Sequence, residues 1–261
     1  MSDERVVSLA RAGLRSLCTS AGIDDSHGII HAERVLAHAE RALLSASPPI
    51  AAEPSLAVRL AALLHDADDR KYFGTHVEGT PPFPNAAQLM RTAGANPSVT
   101  ADALQMISYV SCSANGNSVP HAALSRPEVL WPRWADRLET AGCIGVLRCY
   151  QYNRRTGAPL SLPTTPRACS AEEAWALATT ERFEAYQESG GGSASMIDHF
   201  YDKLLQVSRP PAEMVKNPYL EAAAVEGTAP LLDVLLKFGR EGEVPVQEIE
   251  KMERSLSRTG A

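Results

Sequence analysis

The sequence predicts an all-helical fold, on three observations. Apolar residues recur at three- and four-residue intervals through most segments. Alanine and leucine dominate those segments, while aromatic residues make up only 6% of the 261 positions. No run of alternating apolar and polar residues reaches strand length. An apolar share of 44% and a charged share of 21% are ordinary for a globular chain. No internal repeat of fixed period occurs. The expected architecture is a helical bundle forming a single domain over residues 1–261, although the length would also accommodate two.

The elements follow in order. Val6, Ala10, Leu14 and Leu17 mark one face of a helix over about 4–20. Asp24, Asp25 and Ser26 are cap-type residues ahead of a second helix near 27–46, which stops at Ser47-Pro48-Pro49. A third helix starts at about Ser55 and runs through LAVRLAALLHD, too long an apolar run for an ordinary strand. Residues 66–84, DADDRKYFGTHVEGTPPFP, read as a surface loop because Gly, Pro and charge replace the apolar periodicity. Helices resume at about 85–93, 98–111 and 127–153. The Pro-rich stretch RTGAPLSLPTTP breaks the pattern, and further helices follow near 170–187, 193–208, 212–240 and 245–257, with SGGGS at 189–193 as a joint.

Charge and cysteine usage exclude several classes. A formal charge of −6 argues against a duplex nucleic-acid surface, which needs clustered Lys and Arg to displace counterions. The start, MSDERVVSLARAGLRSLC, carries charges in its first turns and lacks the apolar core of a secretory signal. No stretch reaches the roughly 18–20 apolar residues of a membrane span. The five cysteines are odd in number, with no CxxC pair, and read as reduced thiols. A cytoplasmic protein is expected, with no membrane partner.

Three segments carry the unusual chemistry. SHGIIHAERV places His27 and His31 four apart, on one helical face, with Arg34 a turn beyond His31. LAALLHDADD delivers His65 and Asp66 side by side after an apolar run, and WPRWADRLETAG sets Asp136 among apolar neighbours. Imidazoles and carboxylates converging from buried helices suit a borderline divalent cation. Without a cation they would need an extensive hydrogen-bond network, because unpaired buried charge is costly.

Four stretches together, HGIIHAERV (27–35), AALLHDADDRKYF (61–73), ADRLETAGCIGVLRCYQY (135–152) and SMIDHFYDKLL (195–205), resemble the HD superfamily of metal-dependent phosphohydrolases. The likeness is to the branch that includes nucleoside-triphosphate pyrophosphohydrolases. It covers a core of about 24–210, leaving 211–261 as a helical extension expected to pack on it. By this resemblance one divalent ion (Mn, Mg, Co, Ni, Fe or Zn) is held by His31, His65, Asp66 and Asp136. His31 is preferred over His27 by its register before Arg-Val, so that His27 becomes a substrate or supporting group, with a solvent-facing or capping His as the alternative.

The same resemblance makes Asp69, three residues after Asp66, the candidate general base. Lys71 and Arg34 become candidates to neutralise phosphate oxygens. His199 and Lys203, four apart on one face, become candidates for substrate contact, against the alternative that HFYDKLL is a packing motif. The implied reaction is attack of metal-activated water on a phosphate ester or anhydride, with a nucleotide as the expected small-molecule substrate and a homodimer as the assembly to test. No GxxxxGK phosphate loop occurs. The alternatives are a di-iron oxygenase of the same fold, for which His76 and His121 lie in the right interval but in loop-like surroundings, and a nucleotide-sensing module without turnover.

Overall fold

The computed structural model describes residues 2–23, 28–74, 82–208 and 212–259, and among these every regular element is helical. None of these helices is long and apolar enough to cross a membrane. Contacts divide the chain into two compact units, one of Met1–Asp136 with Pro211–Glu221 and one of Arg137–Pro210 with Ala222–Ala261. The stretch after 210 is therefore shared between the units.

In the first unit α1 (Asp3–Ala21), α2 (Ile29–Ser45) and α3 (Ala52–Leu64) come in succession. Helix α3 is the centre: Ala57, Val58 and Leu60–Leu64 are wholly buried, as their unbroken apolar text requires. It packs on α1, on α2 and on α6 (below). Its basic residue, Arg59, reaches the edge and pairs with Glu40 and Glu4 at 2.9 Å each. Helix α1 buries Val6, Val7, Ala10, Leu14 and Cys18, so Cys18 takes the inward place expected for Leu17. The shift follows the helix's closing turn, which ends on left-handed Gly22 with its N–H on the Cys18 carbonyl.

After α3 the expected loop contains one short helix, α4 (Arg70–Phe73). Then come α5 (Pro84–Ala93) and α6 (Pro97–Val110), both opened by proline where its missing N–H costs nothing. Two single turns that periodicity did not mark, α7 (Cys112–Asn115) and α8 (Ala122–Ser125), bridge to a 3₁₀ turn at Pro127–Leu130.

The helix expected over 127–153 is three pieces: that 3₁₀ turn, α9 (Trp131–Thr140) and α10 (Gly142–Thr156). The break falls at Gly142, whose left-handed φ of 68° a side chain would resist. A Cβ on Gly145 would run into the Thr140 carbonyl oxygen, so the corner also needs a second glycine. Likewise the stretch expected as 170–187 is two helices, α11 (Ala171–Leu177) and α12 (Thr180–Glu188), the latter capped by the Thr179 hydroxyl on Arg182 N–H.

The second unit continues with α13 (Met196–His199), a π-helical segment at Phe200–Leu204 and α14 (Leu205–Ser208). The chain ends in α15 (Ala212–Val215), α16 (Pro218–Glu241) and α17 (Val246–Thr259). The core of this unit gathers Val146, Tyr150, Met196, Ile197, Phe200, Tyr201, Leu205, Leu231, Leu235 and Ile249. Gly239 lets α16 lie directly against the Ala168 backbone, where a Cβ would overlap the carbonyl.

Candidate metal centre

The first unit brings together three of the predicted donors and the aspartate adjoining one of them. His31 sits in the first turn of α2 and is buried. His65 closes α3 and is buried too, with a side chain only 2% exposed. Asp136 comes from α9, and Asp66 follows His65 in the turn beyond α3, each about a fifth to a quarter exposed. The ligand atoms of His31, His65 and Asp136 all lie within 4.8 Å of one another. Nε2 of His31 is 3.2 Å from Nε2 of His65 and 3.2 Å from Oδ1 of Asp136, and His65 Nε2 is 3.7 Å from that oxygen. Asp66 Oδ2 stands 3.4 Å from His65 Nε2 and 3.8 Å from His31 Nε2.

Hydrogen bonding fixes which way the imidazoles face. His65 Nδ1 lies 2.9 Å from the Ala62 carbonyl oxygen, which can only accept, so Nδ1 carries the hydrogen. In the neutral ring the Nε2 lone pair then points into the cluster, the orientation a carbonyl-anchored metal-binding histidine takes. Two imidazole nitrogens 3.2 Å apart, both near carboxylate oxygens, need something positive between them. Donors about 2.0–2.2 Å from a shared ion stand roughly 3.0–3.6 Å from their neighbours, so the spacings of His31, His65 and Asp136 fit a divalent cation. In the absence of an ion the same field acts on a proton. Burial pulls the His65 pKa down, but Asp66 and then Asp136 outweigh it and push it up to about 10.

Anchors that the sequence did not flag hold the donors in place. Arg133, one turn before Asp136 and 1% exposed, donates from Nε to the Tyr109 carbonyl (2.6 Å) and from Nη1 to the Ser118 carbonyl (2.7 Å). Trp131 Nε1 donates to the Val215 carbonyl at 3.0 Å. Together they pin α9 against the end of α6 and the short α15. Asp68, two residues past Asp66, accepts from the N–H groups of Asn85 (2.9 Å) and Ala86 (3.0 Å) and so caps α5, whose own N-cap residue, Phe83, makes no side-chain cap. A capping carboxylate seventeen residues upstream has no sequence signature.

The remaining predicted residues are distributed as follows. Asp69 is half-buried and caps α4, accepting from the Lys71 N–H at 2.9 Å. It is joined to Asp66 by a turn, Asp69 N–H to Asp66 carbonyl at 3.1 Å, rather than by a continuing helix, because α3 ends at Leu64. Lys71 is exposed on α4 and Arg34 is exposed on α2. His27 and His76 lie outside the described residues. His121 is exposed where α8 begins. His199 and Lys203 belong to the second unit. All five cysteines are free thiols.

No model of a known protein family matches the chain. The uncharacterized protein L803 of Acanthamoeba polyphaga mimivirus is 35% identical to it over 224 residues, 81% of this chain and 88% of the viral one. Among solved structures, an HD-superfamily hydrolase of Bacillus thuringiensis superposes with a TM-score of 0.60 at 18% identity, covering 92% of this chain and 98% of that one. Bacillus subtilis YpgQ, solved in complex with ADP, superposes with a TM-score of 0.57 at 17% identity, covering 94% and 98%. With four-fifths of this chain matched to the viral relative at 35% identity, and with more than nine-tenths of it superposed on bacterial structures, the chain belongs to the family of mimivirus protein L803 and has the fold of the HD superfamily.

Proposed function

We propose that the protein is a metal-dependent phosphohydrolase acting on a nucleotide, with one divalent cation held by His31, His65, Asp66 and Asp136. The observation that carries this reading is the facing pair of imidazole Nε2 atoms 3.2 Å apart, with the Asp136 carboxylate 3.2 Å from one of them. A divalent ion bound there supplies Lewis acidity and lowers the pKa of a coordinated water towards neutrality. The chain's own groups do the rest. His65, fixed through Nδ1 by the Ala62 carbonyl, and Asp136, fixed through the Arg133 anchor, orient the donor set. Asp69 takes up a proton from the attacking water in addition to capping α4. Arg34 and Lys71 offset charge on phosphoryl oxygens, Arg as a fork and Lys as a point charge. By the motif resemblance, His27 is a further candidate to support the substrate, and His199 and Lys203 are candidates to contact it. Support for a nucleotide comes from the motif resemblance and from the ADP carried by the Bacillus subtilis neighbour.

The test is a screen for phosphate and pyrophosphate release over nucleoside mono-, di- and triphosphates with Mn, Mg, Co, Ni, Fe and Zn, beside Asp66→Ala and Asp136→Ala. Release that vanishes in both variants supports the reading. Metal bound at one per chain with no release from any nucleotide would leave a sensor instead.

A further inference from the structure

The chain returns to the first unit over Pro211–Glu221, although the residues on both sides of that stretch belong to the second. There it touches two of the helices that carry predicted metal donors. The Val215 carbonyl, at the end of α15, accepts from Trp131 Nε1 at 3.0 Å, five residues before Asp136 on α9. Two residues later Asn217, wholly buried, turns to α2, the helix of His31.

Asn217 closes one helix and opens another. Helix α2 ends without a basic residue in its last turn, and the Ala46 N–H turns back to the Leu43 carbonyl. The Ala42 carbonyl is one of those that a helix end leaves over, and Asn217 Nδ2 donates to it at 2.8 Å. On the other side of the amide, Oδ1 accepts from the Leu220 N–H at 3.0 Å and lies 3.1 Å from the Ser45 hydroxyl. The Asn217 N–H donates to Glu221 Oε1 at 3.0 Å, which completes the start of α16. One turn back along α2 towards His31, His38 Nδ1 lies 2.6 Å from the Tyr219 hydroxyl. Arg41 lies against the same ring, its guanidinium carbon 5.9 Å from the centre.

The backbone between the two attachments gives an independent sign. Lys216 has a φ of 47°, in the left-handed region that a lysine side chain resists. Such a conformation persists where surrounding contacts over-determine it, and here Val215 is bound to α9 while Asn217 is bound to α2. Leverage carries this to the donors. His31 stands seven residues from His38, about 10 Å along the helix. A rotation of α2 by about 3° around the attachment would move the imidazole by about 0.5 Å, beyond the roughly 0.2 Å tolerance of a metal–ligand bond.

We infer that Val215–Leu220 is a strap that holds α2 and α9 at the spacing where the His31 and Asp136 donors meet, with Asn217 as its positioning residue. The inference rests on the reading of that cluster as a cation site, and it needs no turnover.

Calorimetric titration of the intact chain with Mn(II), after stripping with EDTA and dialysis, tests it. Asn217→Asp keeps the acceptor for Leu220, and aspartate caps a helix as well as asparagine does. It removes the donor to Ala42, however, and sets an oxygen against that carbonyl. Trp131→Phe removes the bond on the α9 side. Each should weaken Mn(II) binding about tenfold or more, the scale on which groups behind metal ligands act. The double variant should lose less than the product of the two, because either break already frees the strap. Asn96→Ala strips a like cap from α6, a helix without a predicted donor, and should leave the affinity unchanged.

Unchanged affinity in Asn217→Asp and Trp131→Phe with circular dichroism showing intact helices, or an equal loss in Asn96→Ala, would overturn the assignment. If Asn217→Asp does not fold, Trp131→Phe set against Asn96→Ala decides by the same comparison. Mn(II) bound without turnover, and weakened in the strap variants, keeps the strap while the hydrolase reading fails. No Mn(II) bound by the unaltered chain would overturn both.

Discussion

The two polar concentrations in this molecule have opposite sign. In the first unit imidazole nitrogens and carboxylates face one another across 3.2–3.8 Å, an electron-rich nest that calls for a cation. In the second unit Arg148 and Lys203 line a cleft with no carboxylate among its described lining residues, a setting that favours an anion. Each arrangement costs free energy in a folded chain unless a ligand of the opposite charge relieves it. The difference is in construction. The cation nest is assembled from residues whose neighbours fix their direction, by the Ala62 carbonyl under His65 and Arg133 behind Asp136. The anion cleft instead relies on Arg148 from a regular helix and on Lys203, which lies over the Tyr186 ring and belongs to the π-helical segment.

Substitution should separate the two, the largest effect coming from Asp136→Ala. Metal content measured by mass spectrometry should fall from about one ion per chain to under about a tenth, and any phosphate release by roughly a thousandfold or more, the scale on which metal activation of water operates. Helix content by circular dichroism should stay as it is, and metal content left at about one ion per chain would refute Asp136 as a ligand.

Next in size is Arg133→Leu, which strands the Tyr109 and Ser118 carbonyls in the interior. Each orphaned acceptor costs about 1–3 kcal/mol, so urea unfolding should show a loss of about 3 kcal/mol, accompanied by weaker metal retention. An unchanged midpoint would refute the anchoring role. Asp69→Ser sharpens the picture from another side, because Ser keeps a side-chain cap for α4 while removing the carboxylate. Turnover should drop about a hundredfold with stability within about 0.5 kcal/mol, the first from loss of a general base and the second from the near-equality of Ser and Asp as caps. Full activity would restrict Asp69 to capping.

The most gradual effect, small over any one pH step, concerns pH. In the metal-free protein the folded pKa of His65 is raised, so its contribution to stability is complete below about 6.5 and is lost as pH rises through about 10. Metal needs that nitrogen deprotonated. Uptake should therefore release a proton, and apparent metal affinity should climb about tenfold per pH unit between about 7 and 10, read by calorimetry in buffers of differing ionisation enthalpy. A flat profile would mean that His65 does not ligate.

Much of the cation nest was legible from the text of the chain, because His65 and Asp66 are adjacent after an apolar helix and His31 and Asp136 sit in distinctive surroundings. Helix starts at Pro84 and Pro97 and the stop before Ser47-Pro48 were legible for the same local reasons. The corner between α9 and α10 was not, since apolar periodicity runs on across it. The two glycines of AGCIG were the available signal, and their meaning depends on the approach of Thr140, which only the fold supplies. The anion cleft was half legible: His199 and Lys203 stood out by spacing, but Arg148 looks like any helical arginine until the lining shows no acid to pair with it. A π-helical segment leaves no pattern in sequence at all.

The text HDADD compresses three occupations into four positions: Asp66 beside the imidazoles, Asp68 on the first turns of α5, and Asp69 on α4. A substitution scan would paint all three as one intolerant block and invite a single explanation. The defects should be dissociable: a variant at 66 keeps its melting temperature and loses its ion, one at 68 keeps its ion and melts early, and one at 69 alters the local turn. Runs of like residues can thus be crowded divisions of labour rather than redundancy, and a lineage could drift at one of these positions only by finding that position's own substitute.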